Sequence, residues 1–245
     1  VKIAVYSIKG GVGKTATAVN LAAVAAEQGK RVLVWDLDPQ GAASFYFRAD
    51  SGVEGGSQAL LEKKSSAVKA IQPTAIDGID ILPADFSYRN FDLDLRAAGK
   101  PRKRMRDMLD KLAKSYDLVL LDCPPSVSLL SEAALSAVDM ALTPLIPTTL
   151  SVRTYEQLLA QRKALKLKSL KILPFFMMAD RRKRLHKDLI ELFQSADVGF
   201  LDTVVPYASD VERMGLSRAP VIKSAPKSPA AVAFRALWAE VAGRA

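Results

Sequence analysis

Lys9-Gly10-Gly11-Val12-Gly13-Lys14-Thr15 follows the apolar run Ile3-Ala4-Val5 and precedes an alanine-rich helical pattern from Ala16 to Gln28. Strand, glycine-rich loop and helix, in that order, form the context of a phosphate-cradling loop. The glycines let several backbone N–H groups turn toward one phosphate chain, and the helix N-terminus adds its partial positive charge there. Lys14 is placed to meet the outer phosphates, and the Thr15 hydroxyl to hold Mg²⁺. A bare turn rich in glycine lacks the Gly-Lys-Thr ending. Lys9, ahead of the glycines, is a second cation that such a loop does not require.

Working outward from the loop, short apolar β-branched runs alternate with helical patterns. The predicted strands are Lys2–Tyr6, Arg31–Trp35, Gly78–Leu82, Leu118–Leu121, Met140–Leu145, Lys171–Met177 and Thr203–Val205. The predicted helices are Lys14–Gln28, Gln58–Lys63, Arg102–Lys114, Leu129–Ser136, Thr154–Leu165, Leu185–Gln194, Val211–Met214 and Ala230–Val241. This alternation predicts an α/β fold: one doubly wound, mostly parallel sheet with helices on both faces. No linker, repeat or low-complexity stretch divides residues 1–245, so a single domain is expected. The segment from Ala42 to Arg96 is the least regular. Ser51 to Ser57 reads as a loop, and Ile71 to Leu82, with Pro73 and Asp77-Gly78 inside it, as a hairpin or a crossover.

Binding alone does not hydrolyse a triphosphate; a metal shell and a group that orients water are also needed. Two acidic motifs supply candidates. In Val34-Trp35-Asp36-Leu37-Asp38-Pro39-Gln40-Gly41, the two aspartates alternate and are expected to project to one side. In Leu118-Val119-Leu120-Leu121-Asp122-Cys123-Pro124-Pro125-Ser126, an apolar strand ends in a carboxylate suited to orienting Mg²⁺ or its water. Parallel sheets bind ligands outside the carboxyl ends of their strands, where all three acids should lie.

The chain carries 35 basic and 26 acidic residues, a formal net charge of +9. The excess is local: residues 162 to 187 hold ten Lys/Arg and one acid, Asp180, and Lys100 to Arg106 holds five more cations. Such clusters suit a polyanion, either nucleic acid or an anionic membrane, or serve as solvated faces. No apolar run approaches the ~20 residues needed to cross a bilayer. One cysteine excludes an intramolecular disulfide and a cysteine-based metal cluster. With the phosphate loop starting within ten residues of Val1, no secretory segment is expected before it, and a cytoplasmic location is expected.

These three motifs resemble the deviant phosphate loop, first switch and second acidic motif of the ParA/MinD family of ATPases. Ala179-Asp180-Arg181-Arg182, Val205-Pro206-Tyr207-Ala208-Ser209-Asp210 and Ala225-Pro226-Lys227-Ser228-Pro229-Ala230 are similar to the ParA branch. The resemblance implies ATP and Mg²⁺ as cofactors, bound between two subunits of a homodimer. It implies nucleotide contacts at Lys9, Gly10, Gly11, Val12, Gly13, Lys14, Thr15, Ala16 and Pro206. It implies that Lys9 reaches the partner's nucleotide, that Lys14 meets the bound phosphates, and that Asp38 positions the attacking water. Thr15, Asp36 and Asp122 would form the metal shell, the acids through water. It further implies non-specific DNA binding over the nucleoid, with candidate contacts at Arg181, Arg182, Lys183, Arg184, Arg213 and Arg218, and hydrolysis stimulated by a partner or cargo adaptor. The chain departs from many relatives at Ala16 and at Ala42-Ala43-Ser44. Without a helix-turn-helix before the first strand, sequence-specific operator binding is not expected.

Two alternatives stay open. A MinD-like membrane protein would need a basic amphipathic terminal helix, whereas Ala231 to Val241 is rich in alanine with one Arg and one Glu and reads as a core helix. An amide-forming synthetase would need a pocket for an acid substrate, and no pattern for one is evident. Cys123 reads as an inert thiol, His186 as a solvated histidine, and Trp35 and Trp238 as core.

Overall fold

The structure is a computed structural model that describes residues 1–50, 52–62, 66–196 and 198–244. Among these residues eight strands form one sheet: β1 Lys2–Val5, β2 Val32–Asp36, β3 Gln72–Pro73, β4 Ile79–Leu82, β5 Leu118–Asp122, β6 Met140–Leu145, β7 Lys171–Ala179 and β8 Val204–Pro206. Their order is β3-β4-β2-β5-β1-β6-β7-β8. All neighbours run parallel except β3 and β4. The α/β sheet with helices on both faces is therefore the architecture that the alternation predicts.

Because successive strand residues point to opposite faces, each central strand feeds two cores. Ile3, Val5, Val32, Val34, Leu118 and Leu120 pack with helices Lys14–Glu27 and Pro229–Ala242. Ala4, Tyr6, Leu33, Trp35, Val119 and Leu121 pack on the other face with helices Phe91–Ala98, Pro101–Leu112 and Leu129–Leu135. Phe234, Leu237, Trp238 and Val241 are buried in the first core, so the apolar side of the last helix is spent on packing. No helix among the described residues is long and apolar enough to cross a membrane.

Several boundaries differ from the sequence reading. The helix expected at Thr154 begins at Thr149, because the Thr148 side chain caps it by accepting from the Ser151 amide. Ile71–Leu82 is a hairpin: β3 pairs antiparallel to β4, and Gly78 turns the chain at φ 83°. Helices Ala42–Tyr46, Phe91–Ala98 and Val221–Ser224 lie where no helix was predicted. Gly56–Glu62 begins inside the expected Ser51–Ser57 loop, while Ser51 and the expected helix end at Lys63 fall outside the described residues.

Candidate nucleotide site

β1 feeds the phosphate loop, which closes into the helix Lys14–Glu27. Gly11 and Gly13 take left-handed φ values of 70° and 90°. A Cβ on Gly13 would also stand 2.7 Å from Met177 Cε, so two constraints select glycine there. The first amide of the helix bonded back to the loop is that of Thr17, to the Gly13 carbonyl at 2.9 Å. The amides of Lys14, Thr15 and Ala16 thus have no intrahelical acceptor and crown the helix N-terminus. The Lys14 side chain is only 7% exposed and curls back so that Nζ donates to the Lys9 carbonyl at 3.2 Å. Burial lowers its pKa, and the negative charge of Asp122 works against that fall.

β2 and β5 bring the acids to this loop. In the parallel register Asp36 pairs with Asp122, and Asp122 with Val5, the last residue before the loop segment. Both carboxyls are fully buried. Asp36 has partners: Oδ2 accepts from the Ser44 amide and hydroxyl, each at 2.8 Å, and Oδ1 from the Asp38 amide at 3.3 Å. Asp122 has none for either oxygen among the described residues. Burial raises the Asp36 pKa to about 6. Burial, joined by the Asp36 charge, pushes Asp122 well above the carboxylate range; Thr15 and Lys14 are the groups opposing the rise. A pair of buried carboxyls beside a lysine and a hydroxyl is a site short of positive charge.

Asp38 lies past the end of β2, in a turn closed by the Gly41 amide on the Asp38 carbonyl at 2.9 Å. Its Oδ1 accepts from the Gln40 amide at 3.0 Å, and the residue is half-buried. Asp38 therefore lies past the strand rather than within it. Its charge bears on Asp36, Asp122 and Lys14, so the acids and the lysine share one site. Tyr6, fully buried, donates its hydroxyl to the Ser126 carbonyl at 2.8 Å and so ties the end of β1 to the loop after Asp122.

The remaining candidates are scattered: Ala16 lies in the phosphate-loop helix, Pro206 at the end of β8, and the arginines beyond β7 and β8. Ala16 and Pro206 are half-buried, and Pro206 pairs with Ala179 at the end of β7. Arg181, Arg182, Lys183 and Arg184 are exposed just beyond that strand. Arg182 is held by a two-pronged bond to Asp180, both contacts 3.0 Å, which lowers the Asp180 pKa to about 2. Arg184 reaches Asp188 at 3.7 Å, while Arg181 and Lys183 form no ion pair among the described residues. Arg213 is exposed. Arg218 is not presented in the same way: it is half-buried, with Nε donating to the Phe45 carbonyl at 3.1 Å. His186 is not solvated as expected. It is 5% exposed, and Nδ1 accepts from the Asp180 amide at 3.1 Å, so it braces the basic turn. No sequence spacing announces that bond. Cys123 is buried and its thiol pKa is raised by burial, in keeping with an inert role.

A family model described as an AAA domain matches residues 1–174. The chromosome-partitioning ATPase Soj of Thermus thermophilus is 34% identical over 99% of this chain and 96% of its own length. The sporulation initiation inhibitor protein Soj of Bacillus subtilis is 36% identical over 58% of this chain. The chain spans about half the length of that curated relative, 56%. Among solved structures, a cobyrinic acid a,c-diamide synthase from Mycobacterium smegmatis, with bound ATP analogue and magnesium, is 28% identical. It superposes over 98% of this chain and 93% of its own, with a TM-score of 0.83. With the phosphate loop and its acids gathered at the carboxyl ends of β1, β2 and β5, and with these relatives, the chain belongs to the ParA/MinD family of P-loop ATPases.

Proposed function

We propose that this chain is a partition-type ATPase that dimerises on Mg²⁺-ATP, holds DNA without sequence preference, and is reset when a partner or cargo adaptor stimulates hydrolysis. One observation carries the reading: Lys9–Thr15, Asp36, Asp38 and Asp122 converge at the ends of three adjacent strands. The residues fit a cation. Asp122 offers two buried oxygens near Thr15 and Lys14 that have no hydrogen-bond partner among the described residues. No three acidic, histidine or cysteine side chains form a metal cage among the described residues, which suits Mg²⁺ held largely by phosphate and water. Bound Mg²⁺ supplies charge neutralisation and Lewis acidity.

The chain's own residues do the rest. The free amides at the start of the helix and the Lys14 ammonium bind the phosphates. Thr15, Asp36 and Asp122 supply oxygens for the cation and its water. Asp38, on its turn, orients the attacking water. Lys9 is free to serve a second copy's nucleotide, where a donated cation stabilises developing charge as an arginine finger does. Phe86, Val127 and Leu150 are 69%, 59% and 64% exposed on the segments following β4, β5 and β6, the same edge as the loop. Such exposed apolar groups support a second copy covering this edge. Arg181 and Lys183, with Arg182, Arg184 and Arg213, are the proposed DNA contacts, on a molecule located in the cytoplasm at the nucleoid.

The test is DNA co-sedimentation with ATP, with ADP and without nucleotide. DNA retained only with ATP, and released with a slope of about 0.9 in log affinity per log salt for each phosphate neutralised, is the expected result. Retention independent of nucleotide would remove the switch. The similarity to the Mycobacterium synthase favours a second reading, an ATP-dependent amide synthetase. Hydrolysis stimulated by ammonia and a polycarboxylic acid, and not by DNA with a partner, would support it instead.

A further inference from the structure

Two short helices end in the same unusual way. Ala42–Tyr46, which follows the first acidic motif, is terminated by Arg48 at φ 57°, and Met214–Ser217 by Arg218 at φ 47°. Backbone bonds typical of a left-handed stop accompany both: the Ala49 amide reaches the Ser44 carbonyl, and the Ala219 amide the Met214 carbonyl. Glycine is the usual residue at such a stop because it has no Cβ to strain. A bulky side chain there persists only where its surroundings hold it, and such positions cluster at working parts of proteins.

Here the two arginines hold each other's segments. Arg48 Nη2 donates to the Ser217 carbonyl at 3.0 Å, and Arg218 Nε donates to the Phe45 carbonyl at 3.1 Å. The Arg218 guanidinium also stands 4.5 Å from the centre of the Phe45 ring. Each side chain thus crosses to the helix that the other one ends. Both bonds are charge-assisted, and the stacked guanidinium is fixed in direction.

Each side of this clasp leads to the nucleotide site. Ser44, next to Phe45, donates its amide and hydroxyl to Asp36, and its hydroxyl accepts from the Ala84 amide at 2.9 Å. On the other side, Asn20 of the phosphate-loop helix accepts from the Ile222 amide at 3.2 Å and donates to the Ala16 carbonyl at 2.7 Å. Beside the clasp is a cavity of about 610 Å³, lined by Tyr46, Phe47 and Arg48 on the switch side and by Arg218, Ala219 and Lys223 opposite. The helix Ala42–Tyr46 therefore has room to shift once the two bonds are broken.

We propose that Arg48 and Arg218 are positioning residues for ATP hydrolysis, clasping the helix that aims Asp36 through Ser44. This rests on reading Asp36 and Asp38 as the hydrolytic switch. It gives Arg218 a role within its own chain rather than at DNA.

Glycine is the informative replacement. Arg48→Gly and Arg218→Gly keep a residue suited to the left-handed stop and remove only the crossing side chain. Three measurements decide: amide hydrogen exchange of residues 43–49 without nucleotide, affinity for a fluorescent ATP analogue, and steady-state ATPase kinetics without DNA. The expected result is faster exchange at 43–49 and a kcat lower by about tenfold, with KM for ATP within about twofold. The double variant should fall no further than the worse single one, since both bonds close one gap. Arg218→Lys, lacking Nε–H and the planar stack, should recover only part of kcat. Wild-type exchange or wild-type kcat in the glycine variants would overturn the proposal, whatever their thermal stability. Loss of DNA retention at wild-type kcat in Arg218→Gly would overturn it too, returning that residue to DNA. Normal turnover by Asp38→Ala would instead remove the hydrolytic reading itself, and the exchange measurement reports on the clasp independently of it.

Discussion

On the proposed reading, Asp122 is the residue on which stability and function pull in opposite directions. Among the described residues neither of its buried oxygens accepts a hydrogen bond within normal geometry, and Asp36 is its register partner across β2 and β5. An unsatisfied buried polar group costs about 1–3 kcal/mol, more when charged. Its folded pKa is raised, so the folded chain binds this proton more tightly than the unfolded chain does. Stability without nucleotide should then be greatest below the unfolded carboxylate range and should fall as pH rises through the folded pKa values, with Asp36 contributing near pH 6. Asp122→Asn should flatten this slope above the unfolded carboxylate range. At pH 8 it should raise Tm by roughly 2–4 °C for each kcal/mol recovered, while losing Mg²⁺-dependent stabilisation by ATP. Thermal melts across pH, with and without Mg²⁺-ATP, check both halves. An unchanged slope would mean that the buried carboxyl is solvated by something other than the site described.

At the scale of elements, the strands were the legible part. β1, β2, β5 and β6 are buried on both faces, so they read as largely apolar runs, and their ends fell within a residue or two of expectation. The acids closing β2 and β5 were legible for the same reason. The short helices were not. Ala42–Tyr46 exists because Ser44 bonds Asp36 and Arg48 bonds Ser217, contacts 8 and 169 residues apart that leave no local pattern. Phe91–Ala98 buries only Phe91 and Leu95, too few apolar positions to set a period. His186 was misread because its partner is a backbone amide. That bond yields an element-scale prediction. A protonated imidazole cannot accept at Nδ1, and burial and Lys183 lower the His186 pKa, with only Asp180 opposing. The brace should therefore be complete at neutral pH and fail only well into the acid range. His186→Asn can accept from the same amide and should keep much of the ATP-dependent DNA retention. His186→Leu should loosen the Asp180–Lys183 turn and weaken retention, with nucleotide affinity unchanged. Equal retention in both variants, measured by co-sedimentation, would show that the turn needs no brace.

For the whole molecule the question is what two copies gain by meeting. Each carries a formal charge of +9, so unliganded copies repel one another. A triphosphate with Mg²⁺ at the ends of β1, β2 and β5 places negative charge on the edge where Phe86, Val127 and Leu150 are exposed. Lys14 is committed to its own loop through the Lys9 carbonyl, whereas the Lys9 side chain has no acidic partner among the described residues. In the proposed dimer Lys9 is thus the cation left to cross between copies, and attraction to ATP must exceed the mutual repulsion for such a dimer to form. Three outcomes follow in sedimentation velocity. The wild-type chain should be monomeric without nucleotide. Asp38→Ala with Mg²⁺-ATP should accumulate as dimer, because the nucleotide is not consumed. Lys9→Ala should bind ATP within a few-fold of the wild type yet remain monomeric, including when combined with Asp38→Ala. Since the interface charges are partly exposed, raising salt should weaken the pull of Lys9 on phosphate and the long-range repulsion together, by screening over ~8–10 Å. The net effect on dimerisation should be smaller than the effect on DNA retention. An ATP-dependent dimer of the Lys9→Ala, Asp38→Ala variant would show that the apolar edge alone drives pairing, and that the extra lysine of the phosphate loop serves its own subunit.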